Sequence, residues 1–224
     1  MTYNKPYDLS IPDSYPDKHI MNYQSINRKT DKYIFMKGVH LPCPDMKNGA
    51  SKTSTDPKDY DLIFHSEISP DRLLKYGYLE TDAASTFLLR KDLVDLLKAF
   101  CPNDFQAFPA TIVADKPKKT GEFECKDFYL INITHLEDVF DHEKCEFHIS
   151  KSEPIMIMGT RRMILQDASC LNGHHIVREK TLKSHIFVSP EFVALFKKHK
   201  VKGCAFYKDA QGKEEERAEK AARG

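Results

Sequence analysis

The sequence predicts an α+β domain, in which a mixed or antiparallel sheet is flanked by two or three helices and the N-terminal portion is more irregular. Two observations support this class. Residues 90–100 and 189–200 carry apolar residues at helical spacing. Around them, short apolar runs are separated by Gly, Pro, Asn and Asp, which is typical of strands and turns. With 224 residues, the chain is long enough to bury a core of this kind.

Residues 1–84 are predicted to be an irregular portion of the same domain. Residues 1–32 are polar and rich in Tyr, Pro, Asp and Asn, so we expect an extended arm with turns at its prolines. The runs "YIFM" and "DYDLIFH" are typical of short strands, and "SPDRLLKYG" of a short helix capped by Ser69. Residues 41–58 are predicted to form a long polar loop, a kind of segment that is often functional or disordered.

Residues 85–210 are predicted to form the α+β core, followed by a charged tail at 211–224. The first helix, in "RKDLVDLLKAF", has four apolar residues on one face: Leu93, Leu96, Leu97 and Phe100. The runs "FQAFPATIVAD", "DFYLINI" and "PIMIMG" are typical of strands, and the apolar run of the second indicates burial on both faces. The segment "RRMILQDASCLNGHHIVREK" is predicted to add strands joined by a hairpin turn at Asn172-Gly173, since both residues tolerate positive φ.

The segment "HIFVSPEFVALFKKHKVKGCAFYKD" is predicted to form a strand, a capped helix, a turn and a last strand. Ser189 is the expected N-cap, because its hydroxyl can accept a hydrogen bond from the first turn. Phe192, Leu195 and Phe196 are predicted to form the buried face of the helix, with Val193 at its edge. Gly203 permits the exit into the strand.

The two helical segments resemble each other in context. With an offset of 99 residues, 88–98 aligns with 187–197, and in both an apolar strand end leads into a helix, a breaker and another strand. The strand–helix–strand unit is therefore predicted to occur twice, either by duplication or because amphipathic helices after strands look alike.

Charge and targeting signals exclude several classes. The formal net charge is +1, and residues 1–84 carry 11 basic and 12 acidic side chains against 23 and 21 in the remainder. No basic stripe suits a phosphate backbone, so we expect no nucleic-acid partner. The sequence shows neither a signal peptide nor a membrane span, and its six cysteines form no C-x-x-C pair. A reducing bacterial cytoplasm with free thiols, and no membrane partner, is the expectation.

The segment "HLEDVFDHEKCEFH", residues 135–148, is the densest cluster of polar side chains. Leu136, Val139 and Phe140 fit the apolar face of a short helix. Asp138 and His142, four residues apart, could share a metal ion, although a solvated helix face explains them equally well. The functional interpretation that we favour is an acidic patch for a basic surface on a protein partner, formed by Glu137, Asp138, Asp141, Glu143 and Glu146.

Other reactive residues have structural explanations. Cys204 and His199 could form a catalytic pair, but a cysteine in an apolar strand is more often a small buried hydrophobe. His174 and His175 are adjacent, so in a strand they would point to opposite faces and could not chelate one ion. The sequence contains no nucleotide-binding, esterase or zinc-protease motif. We therefore predict no catalytic, cofactor-binding or metal-binding residues.

The order of elements in residues 85–209 resembles that of the immunity-eleven family, formerly a domain of unknown function, of bacterial polymorphic toxin and contact-dependent secretion systems. The segments "YLINITHLEDVFD" and "IFVSPEFVALFKKHKVKGCAFY" carry most of the resemblance. The resemblance implies a non-enzymatic cytoplasmic antidote that binds and neutralises one cognate toxin effector. It implies no catalytic residues at any position of this sequence.

Two alternatives stay open at the level of sequence. One is a hydrolase-type enzyme, with or without a metal ion, that reverses the toxin's modification by means of residues 135–148. The other is a regulatory interaction module unrelated to toxins. The oligomeric state and the activity of the toxin do not follow from the sequence.

The assignment of "SPEFVALF" to a buried helix face yields a stability prediction. Phe192→Ala or Phe196→Ala should lower the free energy of unfolding by about 3–5 kcal/mol, because truncation of a buried aromatic leaves a cavity. Thermal or urea unfolding measures the change. A melting temperature equal to that of the wild type would show that this face is not part of the core.

Overall fold

The structure is a computed structural model, which describes residues 4–10, 22–27, 32–34, 60–66, 73–81, 86–114, 123–149 and 157–208. The predicted loop at 41–58, the start of the predicted helix at Ser69 and the charged tail at 211–224 lie outside these residues. Leu73, in the middle of that predicted helix, has helical backbone geometry.

Most of the described residues with regular structure are in strands. The strands are β1 Tyr7–Ser10, β2 Asn22–Asn27, β3 Lys32–Ile34, β4 Tyr60–Ser66, β5 Tyr78–Glu80, β6 Phe87–Arg90, β7 Phe105–Ala114, β8 Glu124–Ile133, β9 Leu136–Glu137, β10 Glu146–Ile149, β11 Ile157–Arg162, β12 Ile176–Glu179, β13 Ile186–Val188 and β14 Ala205–Tyr207. The helices are α1 Lys91–Phe100, α2 Pro190–Lys198 and the 3-10 helix Ala168–Leu171.

The chain divides into two compact units. The central unit comprises Ser14–Thr134 and Val201–Cys204, and the terminal unit comprises Met1–Asp13, His135–Lys200 and Ala205–Gly224. The predicted division at residues 84 and 210 stays a prediction.

The sheet of the central unit has the strand order β3-β2-β4-β7-β8-β6-β5, in which β4 and β7 run parallel and the other neighbours antiparallel. Strand β8 lies between β6 and β7, and its residues 130–133 are all buried, which confirms the predicted burial of both faces. Side chains alternate between the two faces of a strand, so one face collects every second apolar residue. The core on that face includes Leu62, Phe64, Leu79, Leu88, Phe108, Ile112, Phe128 and Leu130.

Helix α1 packs against β6 and β8. Its buried side chains are Leu93, Val94 and Leu97, whereas Leu96 and Phe100 are only half-buried. The helix is therefore confirmed, but its buried face is rotated towards Val94 relative to the predicted face. The rotation follows from the underlying strands, because tertiary contacts choose which of two adjacent apolar stripes is covered.

The main sheet of the terminal unit has the order β14-β1-β13-β12-β9, and β10 and β11 form a separate two-stranded sheet. Strand β1 pairs antiparallel with both β13 and β14. The predicted extended arm thus contains an interior strand of the sheet, in which Leu9 and Asp8 are buried. The core includes Val139, Phe140, Leu165, Leu171, Val177 and Phe187.

Helix α2 has the predicted local structure. The hydroxyl of Ser189 accepts a hydrogen bond from the Phe192 backbone N–H at 3.1 Å. Phe192, Val193 and Phe196 are buried, whereas Leu195 is only half-buried. The rings of Phe192 and Phe196 stack with their centroids 4.4 Å apart. Both rings also contact that of Phe206 on β14 edge-on. The helix is thus fixed to its sheet by aromatic packing.

The predicted repeat of strand, helix and strand occurs in both units with the same pairing pattern. In the central unit, β6 and β7 run parallel with the antiparallel strand β8 between them. In the terminal unit, β13 and β14 run parallel with β1 between them. Each helix therefore connects two parallel strands that are separated by one inserted strand. The two units therefore share this topology, which is compatible both with a duplication and with a chance similarity of amphipathic helices that follow strands.

Two sequence-based expectations need correction. The predicted mixed sheet is confirmed, but three sheets and only two α-helices in the described residues make the fold mostly β, so the predicted flanking helices match loosely. The hairpin turn at Asn172-Gly173 is wrong. Both residues do have positive φ, at 51° and 84°, but they follow the 3-10 helix Ala168–Leu171. The strand after them, β12, pairs with β13 and β9 rather than with β11.

Gly203 is a position where the backbone of the central unit tolerates little change. Its φ is +102°, and a Cβ there would lie 2.1 Å from the carbonyl oxygen of Tyr78. The backbone N–H groups of Gly77 and Tyr78 both donate to the carbonyl of Lys202, at 3.1 and 3.2 Å. The backbone at Gly203 therefore cannot move away from Tyr78 without breaking these hydrogen bonds.

We therefore expect Gly203→Ala to lower the free energy of unfolding by at least about 2 kcal/mol, because it combines an unfavourable backbone conformation with a clash against backbone. Gly159→Ala is the matched control, since a Cβ at Gly159 meets nothing within 4 Å, and should change stability by no more than about 0.5 kcal/mol. Urea unfolding of both variants tests the expectation. Equal effects of the two substitutions would contradict it.

Candidate functional site

The acidic segment, residues 135–149, is not the short helix that its apolar spacing predicts. Residues 136–137 form β9, which runs parallel to β12. Phe140 makes an antiparallel bridge with Leu165, and a turn then leads into β10. The segment is therefore extended along the terminal unit before it turns.

Hydrogen bonds to distant residues explain why the extended form prevails. The backbone N–H of Val139 donates to Oε2 of Glu179 at 2.8 Å. Nε2 of Gln166 donates to the carbonyl oxygens of Asp138 and Phe140, both at 2.9 Å. A helix of one or two turns is marginal by itself, so partners that satisfy the backbone elsewhere outweigh local helical spacing.

Two of the three residues of the predicted apolar face, Val139 and Phe140, are nevertheless buried, whereas Leu136 is only half-buried. Val139 and Phe140 are fully inaccessible to solvent although they are adjacent. The Phe140 ring packs against those of Phe147 and Phe187, with centroids 5.9 and 5.7 Å apart. This packing fixes the polar residues on either side at the surface.

The five acids that were predicted to bind a partner differ in whether their carboxylates already contact other side chains of the protein. Glu137 accepts a hydrogen bond from Nδ2 of Asn172 at 2.5 Å. Asp141 forms an ion pair with Lys144, whose hydrogen bond holds the pKa of the aspartate below its usual value. Asp138 lies 2.6 Å from Nε2 of His142.

The remaining two acids are the most available for a partner. Glu143 and Glu146 are exposed. The acidic segment contains five acidic side chains and one lysine, so its formal charge is −4 when its histidines are neutral. It therefore presents a negative surface at neutral pH.

Glu179 is a site residue that the sequence did not indicate. It lies on β12 and is fully buried. Its two carboxylate oxygens accept hydrogen bonds from the backbone N–H groups of Val139 and Thr181, both at 2.8 Å. Burial raises the pKa of this carboxyl above its usual value. Only the tertiary contact with the acidic segment reveals it, because "IVREK" by itself is typical of an ordinary strand end.

Glu179 lies beside the pair that the sequence offered as metal ligands. Ligand atoms of Asp138, His142 and Glu179 all lie within 4.8 Å of one another. The spacing of the sequence indicated Asp138 and His142. The third residue, Glu179, lies on β12, about 40 positions further along the chain.

The cysteines and the other histidines show no nucleophilic site in the described residues. Burial raises the pKa of the Cys204 thiol to about 12, the reverse of what a thiolate nucleophile needs. His174 stacks on the ring of His135, with centroids 3.6 Å apart. Nδ1 of His175 lies 2.8 Å from the hydroxyl of Ser189. The two adjacent histidines, which precede β12, therefore have different partners.

Comparison with protein families shows to which family the chain belongs. The model of the immunity protein family Imm11 matches residues 23–211, which is most of the chain. The chain belongs to the Imm11 family. The match extends well beyond residues 85–209, on which the sequence resemblance was based, and includes most of the irregular N-terminal portion. No curated protein matches this Imm11 sequence.

In the part of this Imm11 protein that the structure describes, no helix is long and apolar enough to cross a membrane.

The thiol environments of this Imm11 protein yield a prediction. Burial raises the pKa values of Cys101, Cys170 and Cys204 to about 12, so near neutral pH their thiolate fraction is about a thousandfold below that of an ordinary thiol. Native protein should therefore alkylate at these residues with iodoacetamide far more slowly than urea-unfolded protein. Peptide mass spectrometry measures each site. Rapid alkylation of Cys204 in the native protein would instead favour an enzyme that uses this thiol as its nucleophile.

Proposed function

We propose that this protein is an immunity protein that neutralises a cognate bacterial toxin effector by direct, stoichiometric binding in the cytoplasm. The observation that carries the proposal is the match of the Imm11 family model over residues 23–211. An immunity protein protects the cell that makes it, and binding is the simplest means for a protein whose described residues show no recognisable reactive centre. The protein acts here as an inhibitor rather than as an enzyme.

The acidic segment is the surface that we assign to the toxin. It combines exposed Glu143 and Glu146 with partly engaged acids in one continuous stretch. Its backbone is fixed by Glu179 and Gln166, so little conformational entropy is lost when a partner binds. A negative surface of this kind accelerates encounter with a positively charged partner. The expected partner surface is therefore basic.

The proposal predicts protection and complex formation. Co-expression with the product of the neighbouring toxin gene should rescue cells, and a one-to-one complex should copurify. Loss of rescue together with absence of a complex would refute the function itself. Rescue without a complex would favour an enzyme that reverses the toxin's modification.

A second experiment tests the surface. Glu143→Lys should slow association with the toxin by at least roughly threefold at low ionic strength, because it reverses a charge that steers the encounter. The effect should shrink as salt screens the field. Asp95→Lys on helix α1 is the matched control, since it makes the same charge change at another exposed position. Stopped-flow or surface plasmon resonance measures both. Equal slowing by the two variants would place the interface elsewhere.

A further inference from the structure

We propose that Asp138, His142 and Glu179 form a binding site for one divalent transition-metal cation of the zinc class. These residues come from two segments of the terminal unit, the turn after β9 and the end of β12. Asp138 is also one of the five acids assigned to the toxin-binding surface, but metal binding can be tested on the isolated protein.

The distances suit a shared ion. Oδ1 of Asp138 and Nε2 of His142 are 2.6 Å apart, and all three ligand atoms lie within 4.8 Å of one another. Ligand atoms of a tetrahedral zinc ion are about 3.3 Å apart, given metal–ligand distances of about 2.0–2.1 Å. An ion would therefore replace the proton between Asp138 and His142 after a small separation of their side chains.

The ligands are held in place by contacts outside the site. The backbone N–H groups of Val139 and Thr181 orient the carboxylate of Glu179 and leave lone pairs on both oxygens. The His142 ring lies against that of Phe147, with centroids 5.2 Å apart. Outer contacts of this kind position metal ligands and raise affinity.

The charge of Glu179 is the second, independent argument. A fully buried carboxylate is costly unless a positive charge lies beside it. The carboxylate of Asp138 and the imidazole of His142 lie beside this buried carboxylate, with ligand atoms of all three residues within 4.8 Å of one another. Two carboxylates thus face at most one positive charge. A divalent cation with a neutral imidazole balances the site completely.

The chemistry of the ligands selects the class of metal. One imidazole and two carboxylates suit Zn²⁺ or a neighbouring first-row ion better than Mg²⁺ or Ca²⁺, which prefer oxygen ligands alone. The side chains of Asp138 and His142 are 52% and 39% exposed, so an ion can enter from solvent and complete its coordination with water. A bound ion would tie the acidic segment to β12 more firmly than hydrogen bonds do.

Zinc titration against a chromophoric chelator at pH 7.5 tests the site on the full chain. Wild type should bind one ion, and His142→Ala should bind it at least roughly tenfold more weakly. Asp138→Asn should weaken binding as well. His148→Ala is the matched control, because His148 is an exposed histidine of the same segment, and it should bind like wild type. Both ligand variants alter partly exposed side chains, so they should fold even if changes at Glu179 do not.

Cobalt substitution distinguishes this site from cysteine sites. The Co²⁺ protein should lack thiolate-to-cobalt charge-transfer absorption, because the ligands are nitrogen and oxygen. Absence of saturable zinc binding, equal affinity of wild type and His142→Ala, or thiolate absorption would each overturn the proposal. Failure of any kind would leave the toxin-binding function intact, since that function is tested by rescue and copurification.

Discussion

The contact between the carboxylate of Glu179 and the backbone of Val139 controls the shape of the surface around it. The acceptor is fully buried and the donor is the backbone of the acidic segment. Without this bond, the buried N–H of Val139 would have no partner, and the extended form would depend on the hydrogen bonds from Gln166 and the packing of Phe140. The acids on either side owe their positions at the surface to these contacts together.

A buried carboxylate is an unusual choice for such a purpose, because a neutral acceptor would satisfy the same N–H groups at lower cost. Its raised pKa records that cost. Residues that weaken a protein locally are often retained for function. The proposed cation gives a physical reason for the charge, since it converts an unfavourable buried anion into a ligand.

Local structure was predictable wherever its causes are close in sequence. Helix α2 is an example, because Ser189, Pro190 and the phenylalanines lie within one short segment and cap, start and bury the helix. The acidic segment is the opposite case. The bond that keeps it extended joins residues 40 positions apart, and no periodicity encodes such a pair. For the same reason, the sequence indicated Asp138 and His142 as possible metal ligands but gave no sign of Glu179. The positive φ of Asn172 and Gly173 was predictable from residue type, whereas the strand that follows them pairs with partners that only the tertiary fold selects.

Strand β1 pairs with β13 and β14, so residues 7–10 complete a sheet with residues 186–188 and 205–207. Loop closure over about 180 residues must precede these contacts, which makes them slow to form. During synthesis, β1 leaves the ribosome long before its partners exist and cannot pair with both of them until β14 has been made. The terminal unit, which carries the acidic segment, therefore matures last, and a chain that stops before Ala205 would leave β1 with an open edge prone to pairing with other chains.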